Sequence, residues 1–352
     1  MLRVPLILMA STAVFVSSFR IAWLCVSAEA ALISMSRWWL LLSLLGANLA
    51  WAKPESGAEL RSFLNRSDRD YGAKNMVHHR FTIAEISQAT GLSGPEIEVT
   101  MRSVDSIFRR DKSVLEVWPY PGGRHPRIGF LGGAIRPQRD TKVSVFTPWD
   151  PASCVVVLEA LRSNLGLAYL AHTHMQTLWS DYGVALPKFE WEQLSDGSLM
   201  VSRTLPNRIT FGAWVIPQND HVAMVMWLHN GTNKTLTDLR VQNCVMLKGA
   251  ECFDVLTNDN KTIEKPFVAC ESAKGGQCVI TAWELCDRSW ANVPVTCLHS
   301  DPKFPDAKRD EWQILNGWLS FYEDEDVNAE FSRIKQALVK KSLKQAQASL
   351  ES

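Results

Sequence analysis

The chain has 352 residues, 46% of them hydrophobic, and its 37 Lys and Arg are balanced by 37 Asp and Glu. A formal charge of zero removes the electrostatic footprint that a nucleic acid or an anionic membrane surface selects, so neither is expected as a partner. Trp, at 14 residues against 5 Tyr, suits wide apolar surfaces and sugar-stacking faces.

In chain order, the first informative stretch is 35–52. It opens with Met35 and Arg37, continues through an apolar run, and ends on small residues at Ala50 and Ala52. Those are the three parts of a secretory signal peptide, with cleavage expected near Ala52. On this reading, residues 1–34 come from a start codon placed too far upstream or form an extra leader. The alternative is two hydrophobic helices over 4–34 and 38–52, the second of them shorter than the roughly 20 apolar residues a membrane span needs. The expected location is therefore periplasmic or secreted, with no transmembrane span in the mature chain.

Residues 53–80 are polar and read as a linker or loose helix. Two short helices follow over 81–112. Thr82 with Glu85, and Ser93 with Glu96, have capping-box spacing, and Gly91 supplies a C-cap between them. The pair resembles the helix-turn-helix of DNA-binding regulators, but its second helix carries Glu96 and Glu98 with only Arg102 in support. A recognition helix needs cations for phosphates, so a packing or partner-contact hairpin is the better reading.

From Val114 the texture becomes β. Runs at 142–146, 154–158, 167–174, 198–202, 209–216, 221–228, 239–247 and 278–283 read as strands, separated by Gly-, Asn- and Pro-rich turns. The seven residues from His229 to Thr235 are expected to join two of them as a hairpin. Many short strands without alternating long helices imply a mainly β protein, an antiparallel β-sandwich over 113–325, followed by a C-terminal helix over 326–352. Of the eight cysteines, six fall between 244 and 297. In an oxidising compartment that clustering predicts disulfides, with Cys154 left buried and free.

The blocks 118–130, 137–149, 169–174, 241–247, 281–283 and 297–305 together resemble a family of uncharacterised secreted bacterial proteins of planctomycete type, over about 115–322. That resemblance implies no catalytic residues. The rhythm of Leu205–Phe211, Leu228–Thr232 and Leu236–Val245 is similar to galactose-mutarotase-like supersandwich domains, which implies a carbohydrate-related β domain.

The candidate chemistry centres on histidines. His172 and His174, at i and i+2, share one face of a strand and form a metal-binding pattern; His299, Asp301 and His125 are further candidate ligands. A divalent metal held by His172, His174 and His299 is one expectation. Acid–base catalysis by His172 or His174 with Glu284 is another. Arg124 and Arg127 suit a carboxylate or sulfate, and Trp118, Trp149 and Trp179 flank loops as sugar-stacking candidates, whereas Trp214, Trp227 and Trp283 read as core. No Gly-x-Ser-x-Gly elbow, Walker loop or His-Glu-x-x-His is present. The sequence points to an exported protein that binds or processes carbohydrate. The alternatives are an envelope scaffold or, if the leader is not a signal peptide, a DNA-binding regulator.

Overall fold

The computed structural model of the chain describes residues 66–107, 114–122, 141–149, 153–171, 175–186, 191–324 and 326–350. The expected leader over 1–52 lies outside them, as do Arg124, His125, Arg127, His172 and His174.

Three helices come first. Helix α1 (Arg66–His78) occupies part of the stretch read as a linker or loose helix. Helix α2 (Ile83–Thr90) begins at the Thr82–Glu85 capping box and ends on Gly91 at φ 78°, the left-handed conformation glycine adopts without a Cβ penalty. Helix α3 (Gly94–Ile107) follows, with Ser93 Oγ donating to Glu96 Oε2 at 2.6 Å. Ala73, Met76, Phe81, Ile86, Ala89 and Ile97 form one buried cluster among the three. That cluster explains why α1 is ordered despite its polar sequence.

The remainder is an antiparallel β-sandwich. One sheet has the order β1 (Val117–Pro119), β2 (Lys142–Phe146), β3 (Ser153–Ser163), β9 (Arg240–Met246), β14 (Cys297–Pro302), β13 (Cys286–Asn292), with β4 (Gly166–Leu170) also pairing to β3. The other runs β10 (Lys261–Glu264), β11 (Phe267–Glu271), β12 (Cys278–Trp283), β15 (Trp312–Tyr322), β8 (His221–Asn230), β7 (Ile209–Pro217), β6 (Leu199–Thr204), β5 (Glu192–Gln193). Strict alternation along β8, half-buried then buried through ten residues, sends Val222, Met224, Met226 and Leu228 into the inter-sheet core. Val143, Val145, Val156, Val245 and Leu298 meet them from the first sheet. Trp283 is buried against the backbone of Gly317, where a Cβ would come within 2.5 Å of the indole.

Two sequence expectations change here. Strands β8 and β9 do not form a hairpin, since β8 pairs with β7 and β15 while β9 pairs with β3 and β14. The intervening loop instead crosses from one sheet to the other. Buried Asn230 ties it down, donating from Nδ2 to the carbonyls of Lys234 and Ala307 and accepting at Oδ1 from Thr232. None of the seven cysteines from Cys154 to Cys297 is in a disulfide. Cys270 points into the inter-sheet core and Cys278 into the cluster on the far side of the same sheet, so nearness in sequence does not bring thiols together. Burial pushes Cys270 up to about 11 and Cys278 up to about 12, consistent with neutral packing thiols.

The last helix, α4 (Val327–Leu350), lays Phe331, Ile334 and Leu338 on the outer face of the second sheet, against Phe267, Ile280 and Trp318. Among the described residues no helix is long and apolar enough to cross a membrane.

Candidate functional site

On β14 the alternation of a strand sends Leu298 inward to the core and leaves Cys297, His299 and Asp301 on the opposite, outer face. All three are buried there. The neighbouring strand β9 is paired with Cys297 opposite Met246 and Leu298 opposite Val245, and one step further along that register Cys244 comes beside His299. The outcome is a polar row on the outside of the first sheet that solvent barely reaches.

Asp301 organises the row. One oxygen lies 3.5 Å from His299 Nδ1 and accepts from the backbone N–H of Asn243 at 3.1 Å. The other accepts from Arg288 at 2.8 Å and from the indole N–H of Trp290 at 2.7 Å. Trp290 in turn stacks on His299, with ring centroids 3.9 Å apart and planes 12° from parallel, and the Arg288 guanidinium sits 4.7 Å over the same indole. Charge and stacking thus fix the imidazole from two sides.

The electrostatics follow from those contacts. Burial alone would depress the imidazole, but Asp301 and Cys297 outweigh it and raise His299 to about 9. Burial would raise Asp301, yet His299, Arg288 and Trp290 hold its carboxyl below the usual range. Cys244 beside Cys297, together with the His299 cation, draws the Cys297 thiol down against the cost of burial. Cys244 moves the other way, pushed well up by its hydrogen bond with Cys297 and by burial. The row therefore favours one thiolate facing one imidazolium.

Beside this row opens a cleft of about 410 Å³, within the range of small-ligand sites. Its polar lining is Glu159, Arg162, Arg240, Gln242, Asp287, Arg288 and Asp301. Glu159 stands at a β-bulge, where the β3–β9 register shifts between Leu158 and Ala160, and accepts from Gln242 Nε2 at 2.6 Å. Leu167, Leu170 and Met175 supply an apolar margin.

Of the residues singled out from sequence, His299 and Asp301 are brought together and Asp301 faces the cleft. Glu284 is elsewhere: it follows β12 in the second sheet and accepts from the backbone and side-chain amides of Asn316 at 2.5 and 2.8 Å. Trp179 is a core residue donating to the carbonyl of Ala168 at 2.9 Å, and Trp149 stacks on Phe253 at 5.5 Å beside the same core. Neither presents a free platform. Trp283 is core as expected, whereas Trp214 and Trp227 are half-buried on the outer face of the second sheet. The sequence reading missed Cys244, Cys297, Glu159, Arg162, Arg240 and Arg288. For the cysteine the signal was there: Cys-x-His-x-Asp at alternate positions puts three reactive groups on one face of any strand.

No family model matches the chain, and no curated protein matches it. The resemblance of 115–322 to a secreted bacterial family therefore finds no matching family model. Solved structures similar in part include a protein assigned as a kojibiose phosphorylase from the human microbiome, with a TM-score of 0.27 and 11% identity over 43% of this chain and 21% of that one. The heparan sulfate lyase HepC of Pedobacter heparinus gives 0.31 and 11% over 72% and 43%. The chain spans less than half the length of each, and likeness at this level fixes neither family nor function.

Proposed function

We propose that the chain is an exported protein that binds a carbohydrate bearing acidic groups, in the cleft edged by β3, β4, β9 and β13. The observation that carries this reading is the convergence of Arg162, Arg240 and Arg288 with Glu159, Gln242 and Asp301 around one mixed polar and apolar hollow. Guanidinium forks recognise carboxylate and sulfate bidentately. Carboxylates and amides between them suit a ring of hydroxyls, and the Leu167–Leu170–Met175 margin suits the apolar face of a sugar.

His172 and His174 fall in the sequence between Leu170 and Met175, two residues of that margin, and we assign them to the same ligand. If the bound sugar is transformed, Glu159, Asp287 and Asp301 are the carboxylates at hand for proton transfer. Export rests on the signal-peptide pattern of residues 35–52.

The test is binding of the full mature chain to an array spanning neutral, uronate-bearing and sulfated oligosaccharides, followed by calorimetry on the best ligand. Selective binding of acidic glycans is expected, with R162A and R240A each weakening it by about tenfold or more, because a charge-assisted hydrogen bond contributes about 1.5–3 kcal/mol. Both arginines are surface residues, so folding stability should stay within about 0.5 kcal/mol. Equal binding of neutral glycans, or affinity unmoved by both variants, would remove the cleft from recognition.

A further inference from the structure

The cleft does not account for what lies buried behind it. Cys244, Cys297 and His299 each offer one ligand atom, and those three atoms lie within 4.8 Å of one another. None of the three residues is more than 3% exposed. Their surroundings are apolar: Val155, Met246 and Val295 pack against the two thiols in a small cluster of their own. One buried Cys passes as a small hydrophobe. Two thiols converging on an imidazole whose Nδ1 already faces Asp301, 3.5 Å away, do not.

We infer that Cys244, Cys297 and His299 form a buried Zn²⁺ site. Two thiolates and an imidazole are the borderline-soft set that selects zinc over the oxygen-seeking Mg²⁺, Ca²⁺ and Mn²⁺. With metal–ligand lengths of about 2.0–2.3 Å, tetrahedral donors stand about 3.5–3.8 Å apart, so side-chain rotation alone closes the observed triangle. Charge also balances: Zn²⁺ with two thiolates is neutral and suits the apolar collar, whereas an uncompensated ion there would not. Loading the site displaces the remaining Cys244 thiol proton and the His299 imidazolium proton into solvent. Asp301, 3.5 Å from Nδ1 and itself held by Arg288 and Trp290, is the carboxylate that orients a metal-bound histidine. A water takes the fourth position, within the field of Glu159, whose charge acts on all three ligands. Because Asp301 and Glu159 also line the cleft, the ion would brace the wall that faces the sugar. The site itself is independent of what the cleft binds.

The experiment is metal analysis of the purified, reduced full chain after stoichiometric Zn²⁺ loading and desalting, with Co²⁺ loading in parallel. One zinc per chain is expected in the wild type and in C278S, whose thiol lies under α4, and none in C297S or H299N. Cobalt should give a thiolate-to-metal charge-transfer band with the wild type and with C278S, and the lack of that band overturns the inference even if C297S or H299N fails to fold. The inference is overturned if the wild type keeps no zinc and shows no such band. It is equally overturned if the folded variants keep a full equivalent, or if mass mapping of the chain before reduction finds Cys244 bridged to Cys297.

Discussion

The sandwich has two outer faces, and they are buried by opposite means. Beneath α4, the second sheet presents Phe267, Ala269, Ile280 and Ala282, and the helix answers with Phe331, Ile334 and Leu338. Burial there is stabilising in itself, through apolar area removed from water. The outer face of the first sheet buries Lys142, Glu159, His299 and Asp301 with Cys244 and Cys297. Burying such groups costs several kcal/mol each unless every charge finds a partner, so this face holds only because its contacts are specific. The apolar face tolerates change that keeps its volume, whereas the polar face tolerates none that removes a partner.

The largest effect should come from removing the hub of the polar face. D301A would leave Arg288, Trp290 and the Asn243 amide without their acceptor, and the imidazolium of His299 without its counter-charge. The expected cost is about 3–5 kcal/mol, read as a lowered urea midpoint at neutral pH. A loss under about 1 kcal/mol would show that the row is not held by its charges. On the apolar face, I334A deletes a fully buried side chain and should cost about 2–4 kcal/mol by lost burial plus cavity. I334L should recover most of it, since volume-conserving swaps cost less than about 1.5 kcal/mol. No conservative swap at Asp301 should do the same, and a D301E variant as stable as the wild type would erase the contrast.

That contrast was only half legible in the sequence. The apolar periodicities of β2, β7 and β8 and of α4 are local, because alternation or helical spacing says which side is inward. Capping boxes at Thr82 and Ser93 are equally local. The two Trp on β7 and β8 read as core because their strands are apolar, but alternation places Trp214 and Trp227 on the outward positions. The loop after Asn230 read as a hairpin because its length fits one; which sheet a strand joins is decided by contacts such as Asn230 to Ala307, 77 residues apart. The polar row is non-local in the same way. His299 and Asp301 stood out, but their meeting with Cys244 and Glu159 depends on the β3–β9–β14 order and on one bulge.

A smaller effect should separate the two ends of the apolar face by pH. His221 stacks on Trp318 with centroids 3.5 Å apart, its Nδ1 lies 2.7 Å from Asp220, and Arg333 of α4 reaches Asp220 at 2.8 Å while pairing with Glu330. Burial holds the imidazole below its ordinary 6.5, against the pull of Asp220. The unfolded chain therefore takes up this proton at higher pH than the folded one. The stability contributed is complete above 6.5 and falls as pH drops from there toward the lower folded value. Asp220, which His221 and Arg333 hold below 3.8 despite its burial, extends the loss into stronger acid. Titrating the urea midpoint from about pH 7 down to about pH 5 should show this decline. H221F should flatten it, and an identical slope in H221F would assign the decline to other groups.

The smallest effect should come from the part of that sheet α4 does not cover. Trp312 is 57% exposed and Ile314 48%, with the Trp312 ring leaning on His229 at 4.6 Å. Across β8 and β7, Trp227 lies over Gly212, where a Cβ would come within 2.2 Å of the indole, so that ring is seated while Trp312 is not. Substituting an exposed side chain outside any network moves stability by about 0.5 kcal/mol or less. W312A should fall in that band, and W227A, which uncovers a glycine backbone and opens a gap, should cost several times more by the same urea titration. Should W312A cost as much as I334A, the uncovered half would be as tightly packed as the half beneath α4, and the face would be continuous rather than divided.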